Sequence, residues 1–465
     1  MNSHTLARLV IALPAFPFLA AAVLGAWWVL FGAPSERATA RVVTGALGLQ
    51  VAAAFTAVGA FLATGRHTLD VRAGHWFQAG AYGFEVDFIL DRLSAPMILV
   101  ASVITFLVGV FSVRYLHREP GFFRFFILLA VFATGMSILV SGGSYDILFF
   151  GWELVGITSA LLVGFFHERA TPMRAALRVI TTYRVCDIGI VVGTVFIHDA
   201  THSARFVDAF GNNPWPQGML HGHGGTTLIV LCLLFAAMGK SALLPAGTWL
   251  PRAMEGPTPS SALFYCALSV HGGAFLLLRS QPFIEASRVG AAAVVAVGAG
   301  TAVLSAVTGR VQTDVKAALA WASMTHVGLI VVEIGLGFPR IALLHMLAHA
   351  MLRGWQMLRA PSVLREVITA RAAHDGLPLP TGSLWGHALP TRAVEAVYRV
   401  AFDRFFLETA QQRWIAQPVM ALGRFLDRNE RRWVEALGGW HPTSTPGDSV
   451  RPSAANTRQP EGLAP

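Results

Sequence analysis

Residues 148–166 read LFFGWELVGITSALLVGFF, nineteen positions with a single charge, Glu153, inside the run. A stretch of about 20 apolar residues is the length that crosses a bilayer as a helix. A carboxylate placed in such a stretch costs several kcal/mol and is kept where it does chemistry. The same reading extends outward in both directions. The chain has 465 residues, of which 54% are hydrophobic and only 13% charged, where a soluble domain carries about 25% charged residues. Apolar runs of twenty or more positions recur through the first 360 residues, which predicts membrane spans rather than one water-soluble core.

Eleven such runs are expected as helices, at about 7–32, 41–64, 88–113, 122–142, 145–166, 175–197, 225–250, 258–279, 287–308, 317–337 and 340–360. The first is too long for the apolar core of a signal peptide and reads as a retained span. The predicted fold class is an all-α integral membrane protein. Pro245, just after Lys240, and the cluster Pro251, Pro257 and Pro259 break the seventh run and its connection. Broken helices at membrane depth line cavities or pack within protein. Basic residues are more numerous in the odd-numbered loops (Arg37, Arg41, Arg114, Arg118, Arg124, Arg169, Arg174, Arg178, Arg252, Arg310 and Lys316). By the positive-inside rule the N-terminus is expected outside and the C-terminus in the cytoplasm of a multi-pass protein of the cell inner membrane. Four boundaries follow: N-terminal helices over 1–84, a translocation domain over 85–360, a linker over 361–390, and an amphipathic helical segment over 391–440. A disordered tail is expected over 441–465.

Composition also excludes function classes. The net charge of +9 is spread over short loops and the C-terminal tail, which suits anionic lipid rather than nucleic acid. Cys186, Cys232 and Cys266 lie apart in apolar segments with no C-x-x-C, so neither an iron–sulfur nor a zinc site is expected. No phosphate-binding glycine loop occurs, and no cofactor is expected.

The informative residues are ionisable groups at bilayer depth. Besides Glu153 they are Asp187 and Arg184 in VITTYRVCDIGIVVG, Lys240 in LLFAAMGKSALLP, and His271 in CALSVHGGAFLLL. Asp314 and Lys316, then His326, then His345, His349 and Arg353 follow. Lys240 stands out because the chain has two lysines against 33 arginines. A desolvated ammonium can release its proton, whereas a guanidinium effectively cannot. A proton relay needs a group that titrates; a structurally paired lysine is the alternative. Glu153 is the natural partner, since a carboxylate near an ammonium favours the charged form and its withdrawal favours proton release. The plain alternative is a helix–helix salt bridge. His345, His349 and Arg353 repeat every four residues and share one helix face. Such histidines pass protons or simply join helices; a metal site lacks a third ligand. Asp314 at a helix start is explained equally well by the helix dipole, and His271 and His326 are more ambiguous still, since either reads as a satisfied packing histidine.

In order, LDRLSAPM (90–97), WELVG (152–156), YRVCDIG (183–189), GKSALLPAGTWLPRAMEGPTPSSAL (239–263), VQTDVKAALAWASMTHVG (311–328) and HMLAHAMLR (345–353) resemble the L-type antiporter-like subunit of complex I. The same motifs resemble its cation/proton antiporter and inorganic-carbon-pump relatives. The resemblance implies two inverted repeats of five helices, each with a broken helix and a midplane charge. It also implies that Glu153 and Lys240 form the charge pair of a first half-channel. His345 and His349 would lie on a central polar axis, with Asp187 and Asp314 as supporting carboxylates. Three departures accompany it. Tyr265 occupies the position of a family histidine, with His271 later; Arg353 replaces a lysine; and a linker stands where further helices are expected, so the second half-channel is expected to be incomplete.

The expected function is a proton-translocating membrane subunit of a larger NADH:quinone oxidoreductase-like assembly, working with other membrane and soluble subunits and carrying no redox cofactor itself. Glu153 and Lys240 would couple, and His271, His345, His349 and Arg353 would relay. The alternatives are the membrane half of an inorganic-carbon pump with a soluble zinc-dependent partner, a cation/proton antiporter subunit, and a non-conducting scaffold.

Overall fold

A computed structural model describes residues 3–79, 82–201, 203–211, 215–218, 225–373, 390–411, 413–414 and 417–438. The chain divides into two compact units, Met1–Phe405 and Phe406–Pro465.

In the first unit, α1 (Ser3–Phe31) and α2 (Glu36–Ala63) pack side by side. Ser35 starts α2: its extended backbone lets the hydroxyl accept from Ala38 N at 3.3 Å, with Glu36 in the first turn. Both features satisfy the helix's unpaired N–H groups and its positive end. An antiparallel hairpin follows, β1 (Thr68–Ala79) with β2 (Tyr82–Asp91), in register from Thr68 opposite Asp91 to Ala79 opposite Tyr82. The third expected span therefore begins late, and the expected boundary at residue 84 falls within β2. Period-two alternation in FEVDFIL (84–90) is the strand signal, and its apolar residues disguise it as the start of a span.

Four helices come next: α3 (Ser94–Tyr115), α4 (Phe122–Ser141), α5 (Tyr145–Val163) and α6 (Ala170–Thr201). A Cβ on Gly151 would lie 2.3 Å from Leu139 N, so α5 rests backbone to backbone on α4. Small residues at such crossings are how helices approach closely in lipid. After the short α7 (Phe206–Phe210) comes α8 (Thr226–Lys240), which ends on the lysine. The chain then runs through α9 (Trp249–Arg252), α10 (Thr258–Ser260), a π-turn over Ser261–Ala267, α11 (Gly272–Arg279) and α12 (Gln281–Ala286). Three long helices complete the bundle: α13 (Arg288–Gly309), α14 (Val315–Gly335) and α15 (Pro339–Ala373). A further helix, α16 (Thr391–Phe402), closes the first unit.

Among the described residues, eight helices are long and apolar enough to cross a membrane: α1 to α6, α13 and α14. The seventh and eighth expected runs are present as interrupted helices, and the eleventh lies within α15. The break after Lys240 is filled by side chains: Trp249 Nε1 donates to the Gly239 carbonyl at 3.0 Å, Leu244 N donates to Thr301 Oγ1 at 3.0 Å, and Ala274 N donates to Ser241 Oγ at 3.1 Å. Non-helical backbone is tolerated at membrane depth only when so satisfied. The second unit holds α17 (Leu407–Gln411) and α18 (Gln417–Gly438). In α18, Leu422, Leu426, Trp433 and Leu437 are exposed at helical spacing on an otherwise charged helix, the pattern of an amphipathic surface helix. Residues 361–373 carry no described side chains, and the expected tail over 441–465 lies outside the described residues.

Candidate functional site

Lys240 is the last residue of α8 and only 1% exposed. A cation at the carboxyl end of a helix faces the negative end of its dipole. Its ammonium donates to the Trp152 carbonyl at 2.7 Å and sits 4.9 Å from the Trp152 ring and 4.8 Å from the Tyr183 ring. Both rings are within cation–π range. Gly156 and Gly272 leave room for it: a Cβ would meet Lys240 Nζ at 3.1 Å from the first and Cγ at 3.3 Å from the second.

The carboxylates lie one layer away, between α5 and α6. Glu153 is bonded to Arg184 Nη2, which also pairs with Asp187 at 3.0 Å; Asp187 accepts from Trp152 Nε1 at 2.6 Å. Among the described residues no ion pair joins Lys240 to Glu153 directly. Trp152 instead connects Lys240 to Asp187, receiving the ammonium on its carbonyl and donating its indole N–H to the carboxylate. Arg184 is 45% exposed, against 18% for Glu153 and 7% for Asp187, so the buried acids share a guanidinium that reaches the surface.

His271 follows the π-turn, and its Nδ1 lies 2.8 Å from the freed Ala267 carbonyl. π-turns inside helices mark functional sites. From His271 a file of imidazoles crosses to α14 and α15. His271 Nε2 is 2.8 Å from His349 Nδ1; the rings of His349 and His326 stack with centroids 5.2 Å apart; His326 Nδ1 is 3.0 Å from His345 Nε2; and His345 Nδ1 is 2.9 Å from Glu333 Oε1. Between Lys240 and this file lie Tyr183, under the ammonium, and Ser269, two residues before His271. Their hydroxyls are buried and face each other. Buried polar atoms of this kind are where ordered water sits in proteins.

The residues expected from sequence thus fall into two groups. Glu153, Asp187 and Lys240 converge around Trp152, while His271, His345 and His349 join one file. Arg353, 7% exposed, lies on the helix of His345 and His349 and donates to Gln356 Oε1 at 2.7 Å. Asp314 is apart from both groups; it caps α14, accepting from Ala317 N at 2.7 Å. Sequence reasoning did not assign Trp152, Tyr183 or Arg184 to the lysine, and it left His326 ambiguous. It missed Glu333, whose signal was available: an acid in an apolar helix with no basic residue within a turn. The side chain of Tyr265 lies outside the described residues.

Comparisons with known proteins agree on one family. Residues 144–375 match the model for the NADH:quinone oxidoreductase/Mrp antiporter transmembrane region, and residues 76–126 match that for the complex I chain 5 N-terminus. NADH-quinone oxidoreductase subunit L of Neisseria meningitidis is 33% identical over 374 residues, covering 78% of this chain and 54% of that protein. NADH-ubiquinone oxidoreductase chain 5 of Rhizopus stolonifer is 38% identical over 280 residues, covering 60% and 42%. The chain spans about half the length of the curated relatives it matches. In fold it is similar to a chain of the Mrp complex from a Dietzia species (TM-score 0.61, 24% identity, 77% of this chain and 37% of that one). It is similar also to a chain of an archaeal membrane-bound sulfane sulfur reductase (TM-score 0.63, 20% identity, 76% and 70%). With eight helices among the described residues long and apolar enough to cross a bilayer, it is a multi-pass membrane protein. The chain belongs to the NADH:quinone oxidoreductase/Mrp antiporter transmembrane family.

Proposed function

We propose that this chain moves protons through the membrane as one subunit of a multi-subunit NADH:quinone oxidoreductase-like complex. The observation that carries the reading is Lys240, a buried ammonium held by a carbonyl and two aromatic faces instead of a carboxylate. A group held this way stays soluble in the protein in either protonation state, because the Trp152 carbonyl and the rings stabilise the cation without fixing it as half of an ion pair.

Arg184 supplies the coupling element in this reading. It holds Glu153 and Asp187; when it withdraws toward the surface, the two carboxylates act on Lys240 and favour the charged form. When it returns, the ammonium is left with neutral partners and its proton passes to the histidine file. The buried Tyr183 and Ser269 hydroxyls flank that passage. The orientation that fits the loop charges puts the N-terminus outside and the C-terminus in the cytoplasm, within the cell inner membrane. In the same frame residues 85–360 form the translocation domain and the amphipathic segment lies on membrane or partner.

Affinity purification of the assembled complex in mild detergent, followed by reconstitution, tests this. Co-purifying quinone-reductase subunits and a tenfold or greater loss of proton pumping in Lys240→Ala are expected. Unchanged pumping in that variant, or a single large zinc-dependent soluble partner in place of quinone-reductase subunits, refutes it.

A further inference from the structure

The direction of every hydrogen bond in the histidine file is fixed by its two ends. At one end the Ala267 carbonyl faces His271 Nδ1 at 2.8 Å; a carbonyl only accepts, so the proton of neutral His271 is on Nδ1. His271 Nε2 is then bare and accepts from His349 Nδ1–H, which leaves His349 Nε2 bare. That nitrogen is buried and bonded to no described group. At the other end the Glu333 carboxylate accepts from His345 Nδ1–H, so His345 Nε2 accepts from His326 Nδ1–H, and His326 Nε2 is bare. Two half-files therefore meet, with the stacked rings of His326 and His349 presenting acceptors at the join.

The two ends are chemically unequal. A proton delivered to His326 Nε2 makes that ring an imidazolium, which passes its Nδ1 proton to His345 Nε2. His345 in turn passes its own Nδ1 proton to Glu333. One proton enters, one carboxylate becomes a carboxylic acid, and both rings end neutral with their protons on Nε2. The same transfer toward His271 stops at a carbonyl, which cannot take a proton.

We propose that Glu333 is the proton-accepting carboxylate that terminates this file and gives it its direction. Its second oxygen, Oε2, is buried and bonded to no described group, and its one ion pair among the described residues is with His345. Glu333 is two residues from the end of α14, about 3 Å of helix rise, whereas His326 is about 14 Å from that end, near the middle of the helix. The file thus runs from mid-membrane to the aqueous face at the α14–α15 turn. That turn holds the pair together: Gly337 has φ 81°, and Phe338 N donates to the Glu333 carbonyl at 2.9 Å. A left-handed glycine closing a helix this way lets α15 fold directly back along α14.

This inference rests on the proton-moving reading above, and one experiment separates the two. Glu333→Gln keeps an oxygen to accept from His345 and removes the group that takes the proton. In reconstituted intact complex, Glu333→Gln should lower proton translocation at least tenfold while Glu333→Asp keeps more than a third of it. The infrared band of a carboxyl group protonated during turnover should vanish in Glu333→Gln. Full translocation in Glu333→Gln beside a dead Lys240→Ala overturns the role of Glu333 and leaves the relay standing. Full translocation in Lys240→Ala overturns both. If Glu333→Gln does not assemble, Glu333→Asp decides: activity above a third supports the proposal, and loss of activity in assembled complex refutes it.

Discussion

Replacing Arg279 with Met should unfold this protein more readily than any other single change to its buried charges. Arg279 and Asp91 are each only 3% exposed, and Arg279 Nη1 and Nη2 reach the carboxylate at 2.5 and 3.3 Å. The guanidinium also lies over Phe206 and Phe275, at 5.0 and 5.7 Å. Removing one partner leaves an uncompensated charge in the interior, which costs about 3–5 kcal/mol. At roughly 2 °C per kcal/mol for a chain of this size, the thermal midpoint in detergent should fall by about 6–10 °C. Asp91→Asn should cost a similar amount, although its side-chain oxygen can still accept from Leu93 N and Ser94 N. The double variant should recover at least ~2 kcal/mol of the summed loss, because neither charge is then stranded. The assay is a double-mutant cycle on unfolding midpoints of the purified protein. Additivity within ~0.5 kcal/mol, or a loss below ~1 kcal/mol for Arg279→Met, where breaking a buried pair is expected to cost several, would refute the argument.

Other outcomes are equally specific. Gly151→Ala should destabilise by about 2 kcal/mol or more, since the added methyl would lie 2.3 Å from Leu139 N and 2.6 Å from the Gly135 carbonyl, backbone atoms that cannot yield locally; thermal unfolding measures it. Asp87 gives a pH signature: burial lifts its carboxyl from 3.8 to about 6, outweighing the bonds from Ser144 and Arg205. The native state therefore holds this proton more tightly than the unfolded chain, so the contribution is full below about pH 4 and is lost as pH rises to about 6. Its size is ~3 kcal/mol. Asp87→Asn should abolish that part of the pH dependence of the unfolding midpoint.

Much of this fold is legible because lipid demands length. Apolar runs such as 122–142 and 145–166 can be little else, and the structure places α4 and α5 within two or three residues of them. The hairpin over 68–91 is harder to read, since its strands combine period-two alternation with enough apolar residues to pass for a span. At the site, residue type and depth pointed to Glu153, Asp187, Lys240 and the histidines. The pairing among them was not legible, because it depends on the rotation of α6: Arg184 lies three residues from Asp187 and turns toward Glu153 across the helix interface. The partner of Glu333 was hidden for a related reason, although the acid itself stands out in its apolar helix. It gains its partner only through the reversal at Gly337, which brings together residues twelve apart on two helices.

The hairpin also fixes an order of events. Asp87 and Asp91 leave the ribosome long before Arg205 and Arg279, the groups that neutralise them. Until about 280 residues have been synthesised, two carboxylates destined for complete burial have nowhere dry to go. The early helices must therefore insert with this ribbon still in water. It can settle onto the bundle only once α7 and α11 exist, so the two late arginines act as its latch, and a chain stalled before α11 should remain open to protease at residues 68–91.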